Sequence, residues 1–150
     1  WNTFAKTAPP LSVLKTEIDT AYTNYDINKV IKTYLVIKDN YPKKLDQFKI
    51  LIANISTLEG NLQLAEDLTT EIRNNYPDSP GPMITHALIL HMKKDYKNAD
   101  KIYFEFCYLF DEIFPELVQK IKVFKFLLNE KLPLPKNWRE IYKYKMLHEI

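Results

Sequence analysis

The sequence predicts an all-α protein in which a helix–turn–helix unit recurs about every 34–35 residues. Three observations carry this expectation. Apolar residues return at the 3.6-residue period of a helix through most of the chain. Only two glycines, Gly60 and Gly81, occur in 150 residues, too few for the positive-φ turns of a sandwich or barrel. A short phrase is also written twice, as Asp39-Asn40-Tyr41-Pro42 and Asn74-Asn75-Tyr76-Pro77, with its prolines 35 positions apart. A folded chain of this length buries roughly 68–70% of its unfolded surface, so a shared core is within reach.

Residues 1–10 show no periodicity and close on Pro9-Pro10, which reads as an arm or linker in which Trp1 and Phe4 either pack or stay loose. Leu14, Ile18, Ala21 and Tyr25 share one face of a first helix. Asp26 opens a second, striped by Ile27, Val30, Ile31, Tyr34 and Ile37, and Pro42 stops it. A proline does this because it pushes the residue before it out of the α region.

In the next unit Phe48, Ile52 and Ile55 mark the first helix, with Ile50, Leu51 and Leu58 widening the apolar arc. Glu59-Gly60-Asn61 makes the turn, and Leu62, Ala65, Leu68 and Ile72 mark the helix that runs to Tyr76-Pro77. The stretch Pro77–Pro82 reads as a loop, its three prolines lacking donors. Met83, Ala87 and Leu90 then carry a first helix, and Lys93–Tyr96 a turn. A second helix over Ala99, Ile102, Tyr103, Phe106, Leu109, Phe110 and Ile113 ends at Phe114-Pro115.

Three units result, 11–44, 45–79 and 80–115, with Val30, Ala65 and Ala99 at the same place in each. The stops fall at 42, 77 and 115, so the third unit carries about one extra helical turn. Beyond it, Leu117, Ile121, Phe124 and Leu128 share a helix face that opens at Pro115. Glu130–Asn137 is an extended break, and Asn137 is the N-cap of a final helix with Trp138, Ile141, Tyr142 and Ile150. Residues 116–150 are thus expected to form two capping helices over the last apolar face.

The phrases YDINKVIKTY, GNLQLAEDL and KDYKNADKIY resemble the turn and second helix of the tetratricopeptide repeat (TPR) family, with Val30, Ala65 or Ala99 where two helices cross. The similarity covers about residues 11–115. It departs at Lys49, charged where the family places a large apolar residue, and in the first unit, whose turn reads one residue short. The resemblance implies a right-handed α-solenoid of three TPR-like repeats with C-terminal capping helices. It also implies a non-catalytic protein–protein interaction scaffold that holds a partner peptide or helix in a concave groove of first helices. Carried across the register, Gln47, Ile50, Asn54 and Thr57 line that groove in the second unit, and Ile84, Leu88 and His91 in the third.

The apolar members would bury the partner while Gln47, Asn54 and His91 orient it. The same surface is open to other covers: the N-terminal arm, the capping helices or another protomer. Some members of the family clamp C-terminal carboxylates with lysine, arginine and asparagine. Of the corresponding Lys15, Leu51, Gly81 and Thr85, only Lys15 fits. The junction NNYPDSP looks like those of bacterial cell-envelope scaffolds, which favours an envelope-associated setting over a cytoplasmic one.

No catalytic, metal or cofactor site is expected. His86 and His91, five residues apart, lie about 140° apart on a helix, whereas helical metal pairs use a spacing of four. Cys107 is the single cysteine, so no internal disulfide forms, and its aromatic neighbours read as core. The adjacent carboxylates of Glu66-Asp67 and Asp111-Glu112 point to different faces. Phosphate-cradling and nucleophile-elbow motifs do not occur.

Charge splits unevenly, −2 over residues 1–115 and +4 over 116–150. The stretch 136–146 interleaves lysines with aromatics, which offers RNA binding as an alternative; the small basic excess favours a capping role and no nucleic acid. Self-association as a homo-oligomer is the other alternative. No apolar run approaches the length of a transmembrane helix.

Overall fold

The computed structural model describes residues 7–150, so the arm residues Trp1 and Phe4 lie outside the described part. Among the described residues the regular structure is all helical, with no strand. Three helical hairpins follow in order: α1 (Leu11–Thr23) with α2 (Ile27–Asn40), α3 (Asp46–Leu58) with α4 (Leu62–Asn75), and α5 (Pro80–Met92) with α6 (Tyr96–Phe110). Then come α7 (Pro115–Asn129) and two short 3-10 helices, Trp138–Lys143 and Lys145–His148; another, Pro42–Lys44, precedes α3. The chain divides into two compact units, residues 1–48 and 49–150.

The hairpin turns share one backbone. Tyr25, Gly60 and Lys94 each take the left-handed conformation, with φ of 55°, 80° and 65°. The next residue, Asp26, Asn61 or Asp95, has φ near −84° and stands at the N-cap of the second helix, where the two aspartates, but not Asn61, accept a backbone N–H through the side chain. Its N–H reaches back to the carbonyl of Ala21, Ser56 or Leu90. The first turn is therefore the same length as the others. Tyr25 sits in that turn and not on the face of α1, where Tyr22 is buried with Leu14, Ile18 and Ala21.

The junctions repeat as well. Tyr41, Tyr76 and Phe114 have φ of −134°, −134° and −128°, and each N–H closes the preceding helix on the carbonyl four residues back. The proline after each aromatic enforces this exit. After Pro77 the loop is shorter than expected, because Pro80 and Pro82 lie inside the first turn of α5, where a missing N–H breaks no helical bond. The third junction arrives late because α6 has 15 residues and a turn at Asp111–Ile113 follows it. Leu109 and Ile113 are consequently exposed, and the buried stripe of α6 is Ala99, Ile102, Tyr103 and Phe106.

In the first unit α1 packs on α2, burying Val30 and Ile37 against the α1 stripe. Tyr41 donates its hydroxyl to the Pro9 carbonyl at 2.8 Å. In the second unit α6 packs on both α5 and α7. One apolar cluster joins Met83, Ile84 and Leu88 of α5, Tyr103 and Phe106 of α6, and Ile121 of α7 with residues beyond α7. Each such side chain contributes about 1.5–3 kcal/mol on burial. Lys49, the charged departure from the repeat pattern, keeps its stem mostly covered and pairs its ammonium with Glu71 of α4 at 2.6 Å.

The end of α7 differs from the expectation. Lys131 takes φ 58°, its N–H meets the Leu128 carbonyl, and Leu132 reaches back to Leu127. This is the same turn as at Tyr25, Gly60 and Lys94, so α7 behaves as the first helix of a fourth hairpin. No second helix follows. Pro135 keeps Leu134 out of the α region one residue after Pro133, and 133–136 runs without regular structure. The final α-helix expected after Asn137 does not form. Asn137 makes no side-chain cap, and extended Tyr144 separates the two 3-10 helices.

Candidate functional site: the surface of α3 and α5

α5 is apolar nearly all round, and ten of its thirteen residues are buried. One side is covered by α6 and another lies towards α4. The remaining cover comes from residues 132–149, whose second 3-10 helix packs against α5. Trp138, Ile141, Tyr142 and Leu147 are buried in the same cluster as Ile84 and Leu88.

Polar side chains on α3 and α5 hold this segment by its main chain. Asn54 donates Nδ2–H to the Leu147 carbonyl at 2.7 Å. Its Oδ1 accepts from Thr85 Oγ1 at 2.8 Å, and Thr85 Oγ1 lies 3.0 Å from the Tyr142 hydroxyl, which donates in turn. Asn54 and Thr85 are fully buried, so each bond satisfies a group that would otherwise be stranded. At the N-terminal end of α5 the backbone of the segment comes closer still. A Cβ on Gly81 would stand 2.7 Å from the carbonyl oxygens of both Met146 and Glu149. Only glycine allows that approach.

His91 holds the near end of the segment. Its Nε2 lies 2.8 Å from the Leu132 carbonyl and must donate; its Nδ1 is bonded to the Tyr103 hydroxyl at 2.9 Å. In the neutral imidazole this puts the proton on Nε2 and leaves Nδ1 to accept from the Tyr103 hydroxyl. Burial agrees, pushing the His91 pKa down against the pull of the Leu132 bond. Burial, and then the neighbouring Tyr142, raise the Tyr103 phenol well above its ordinary value, so it keeps its proton.

The residues expected to line a groove are placed as follows. Ile50, Asn54, Thr57, Ile84, Leu88 and His91 are all buried. Asn54, Ile84, Leu88 and His91 meet the C-terminal segment or share its cluster. Thr57 turns its hydroxyl to the Ala53 carbonyl within α3. Gln47 is exposed and lies in the other compact unit, its amide 3.4 Å from the Lys44 carbonyl. Thr85, Gly81 and the carbonyls of Leu132 and Leu147 were not among the expected groove residues. Their signal was the run of polar residues Asn54, Thr85 and His91 in otherwise apolar helices, each of which needs a partner.

Nearby, His86 accepts from Arg73 Nη1 through Nδ1 at 2.9 Å, bridging α5 to α4. Burial, reinforced by the Arg73 charge, lowers its pKa from 6.5 to about 4. Cys107 is partly buried, and burial raises its thiol pKa, which leaves it a poor nucleophile. Trp138 and Tyr142, which stacking on RNA would need exposed, are in the core. A hollow of about 490 Å³ is lined by Lys120, Val123 and Phe124 of α7 and by Pro135, Ile141 and Tyr144 beyond it, among others.

Comparison of the chain with known protein families, curated proteins and solved structures finds no match. The functional reading therefore rests on the geometry of the site. No helix among the described residues is long and apolar enough to cross a membrane.

Proposed function

We propose that the chain is a non-catalytic protein-interaction module, a TPR-like right-handed solenoid whose α3–α5 surface holds a polypeptide segment. The observation that supports this reading most is how that surface treats residues 132–149. Asn54 and His91 donate to main-chain carbonyls, and Gly81 leaves room for the main chain itself. Contacts of this kind recognise a peptide backbone, while apolar walls such as Ile84 and Leu88 take its side chains. The partner is an apolar peptide or short helical segment with the properties of residues 132–149, which it replaces on the surface. The junction phrase favours a bacterial cell-envelope assembly as the setting.

The test uses the full chain carrying Leu147→Asp, which undocks the internal segment, and a fluorescent synthetic peptide of residues 132–150. Anisotropy should report saturable binding to this variant and none to the wild-type chain, whose surface is filled. Adding Gly81→Leu should abolish the binding. A Leu147→Asp chain that keeps its helical circular dichroism and binds no peptide contradicts the proposal. Leu147→Ala, a milder change, should bind with intermediate affinity.

A further inference from the structure

We infer that two copies of this chain exchange residues 132–150, the segment of each filling the α3–α5 surface of the other. The inference rests on the reading above, that this surface holds the segment as a bound peptide. Exchange keeps the segment's contacts with the α3–α5 surface, because donor and acceptor surfaces are identical in both copies. The bonds from Asn54 and His91, the close approach at Gly81 and the burial of Trp138, Ile141, Tyr142 and Leu147 are all reproduced. Only the hinge and the surface newly brought together at it distinguish the two forms.

The hinge is Lys131. It holds a left-handed conformation, φ 58°, which disfavours a residue with a Cβ. Tyr25 and Lys94 bear the same strain, but an aspartate follows each, and its carboxylate accepts from Lys29 or Asn98 to lock the turn. After Lys131 comes Leu132, which has no such side chain. Leu132, Pro133, Leu134 and Pro135 then form a stiff arm without regular structure. A stiff arm on one strained residue swings as a unit when that residue leaves the left-handed region.

Exposed apolar side chains occur on both sides of the hinge in sequence. Val123 and Phe126, three residues apart on the last turns of α7, are 54% and 62% exposed, and Leu132 is 46% exposed. The internal segment competes at an effective concentration on the order of millimolar, so exchange grows as the chain is concentrated.

Complementation between two full-length variants tests this. Gly81→Leu blocks the surface and leaves the segment intact; Leu147→Asp disables the segment and leaves the surface intact. Each alone should run as a monomer in size-exclusion chromatography with light scattering, and their mixture should give a one-to-one heterodimer. Hinge variants, which leave the core untouched, give a second measure on the otherwise wild-type chain. Lys131→Val should lower the dimer dissociation constant roughly tenfold, and Lys131→Gly should raise it. A mixture that stays monomeric, while the labelled peptide still binds the Leu147→Asp chain, overturns exchange and leaves the peptide-holding surface standing. Loss of peptide binding as well overturns both. A wild-type dimer indifferent to both Lys131 substitutions places the contact elsewhere and also overturns exchange.

Discussion

The turn after α5 and the turn after α7 have the same backbone and opposite outcomes. At Lys94 the chain reverses, Asp95 caps the next helix by accepting from Asn98, and α6 follows for 15 residues. At Lys131 the chain reverses through the same pair of main-chain bonds, but Leu132 offers no cap and Pro135 follows within four residues. The comparison separates what makes a turn from what makes a hairpin. A turn needs one residue in the left-handed region and two bonds back into the helix. A hairpin also needs a run free of prolines, and at α2 and α6 an aspartate carboxylate caps its start as well. Without them the chain beyond α7 is released from its own hairpin and crosses to α5 instead.

Changes beyond the second turn test that division, and the largest effect is expected at Leu147. It is fully buried against α5, and Leu147→Ala should destabilise the second compact unit by about 2–5 kcal/mol in chemical denaturation. A loss below ~1 kcal/mol, within the range of surface substitutions, would mean that the segment is not part of the core.

Next comes Asn54→Ala, which strands the Leu147 carbonyl, leaves the Thr85 hydroxyl with Tyr142 alone and should cost about 1–3 kcal/mol. An unchanged denaturation midpoint would show that the Leu147 carbonyl does not depend on Asn54.

Asp95→Ala removes the feature that separates the two turns. It should cost about 1 kcal/mol, whereas Leu132→Asp after the second turn should restore little, since Pro135 still blocks a helix. Equal and opposite effects at the two sites would break the comparison.

The smallest structural change is a proton. His86 has a folded pKa of about 4 against an ordinary 6.5, and His91 is lowered in the same sense. The folded state refuses a proton that the unfolded chain accepts. Stability is therefore full above about pH 6.5 and falls as the pH drops towards 4. Replacing His86 with Gln should flatten part of that fall in a series of denaturation curves. A slope unchanged by the substitution would place the titration elsewhere.

Most of the helical pattern was legible in the sequence because its signals are local. The Tyr-Pro phrase fixes the exit of α2 and α4, and the 3.6-residue stripes give the buried faces. Local signals also misled in places. Tyr25 fits the α1 period but holds the turn, since Asp26 rather than glycine spacing sets where the reversal falls. The prolines at 80 and 82 suggested a loop, but at the start of a helix their missing donors break no helical bond. At the far end, Trp138, Ile141 and Tyr142 satisfy an α-helical spacing that a 3-10 turn meets nearly as well.

Of the residues the register pointed to, Ile50, Asn54, Thr57, Ile84, Leu88 and His91 are buried and Gln47 is exposed. The register left three covers open, of which the C-terminal segment was one. The pairing of Asn54 with Leu147 spans 93 residues, and no local pattern encodes it. What the sequence did carry was the need for some partner, in three polar side chains set into apolar helices.

The central claim is that residues 132–149 lie docked on α3 and α5 as a bound segment. Amide hydrogen exchange at Leu147 tests it most directly, because this N–H bonds only within its own 3-10 turn, to Tyr144. Docking predicts that the Leu147 amide is protected as strongly as the amides of α5, and that Gly81→Leu removes this protection while leaving that of α6. Exchange of the wild-type Leu147 amide at the rate of an unstructured chain would contradict the account.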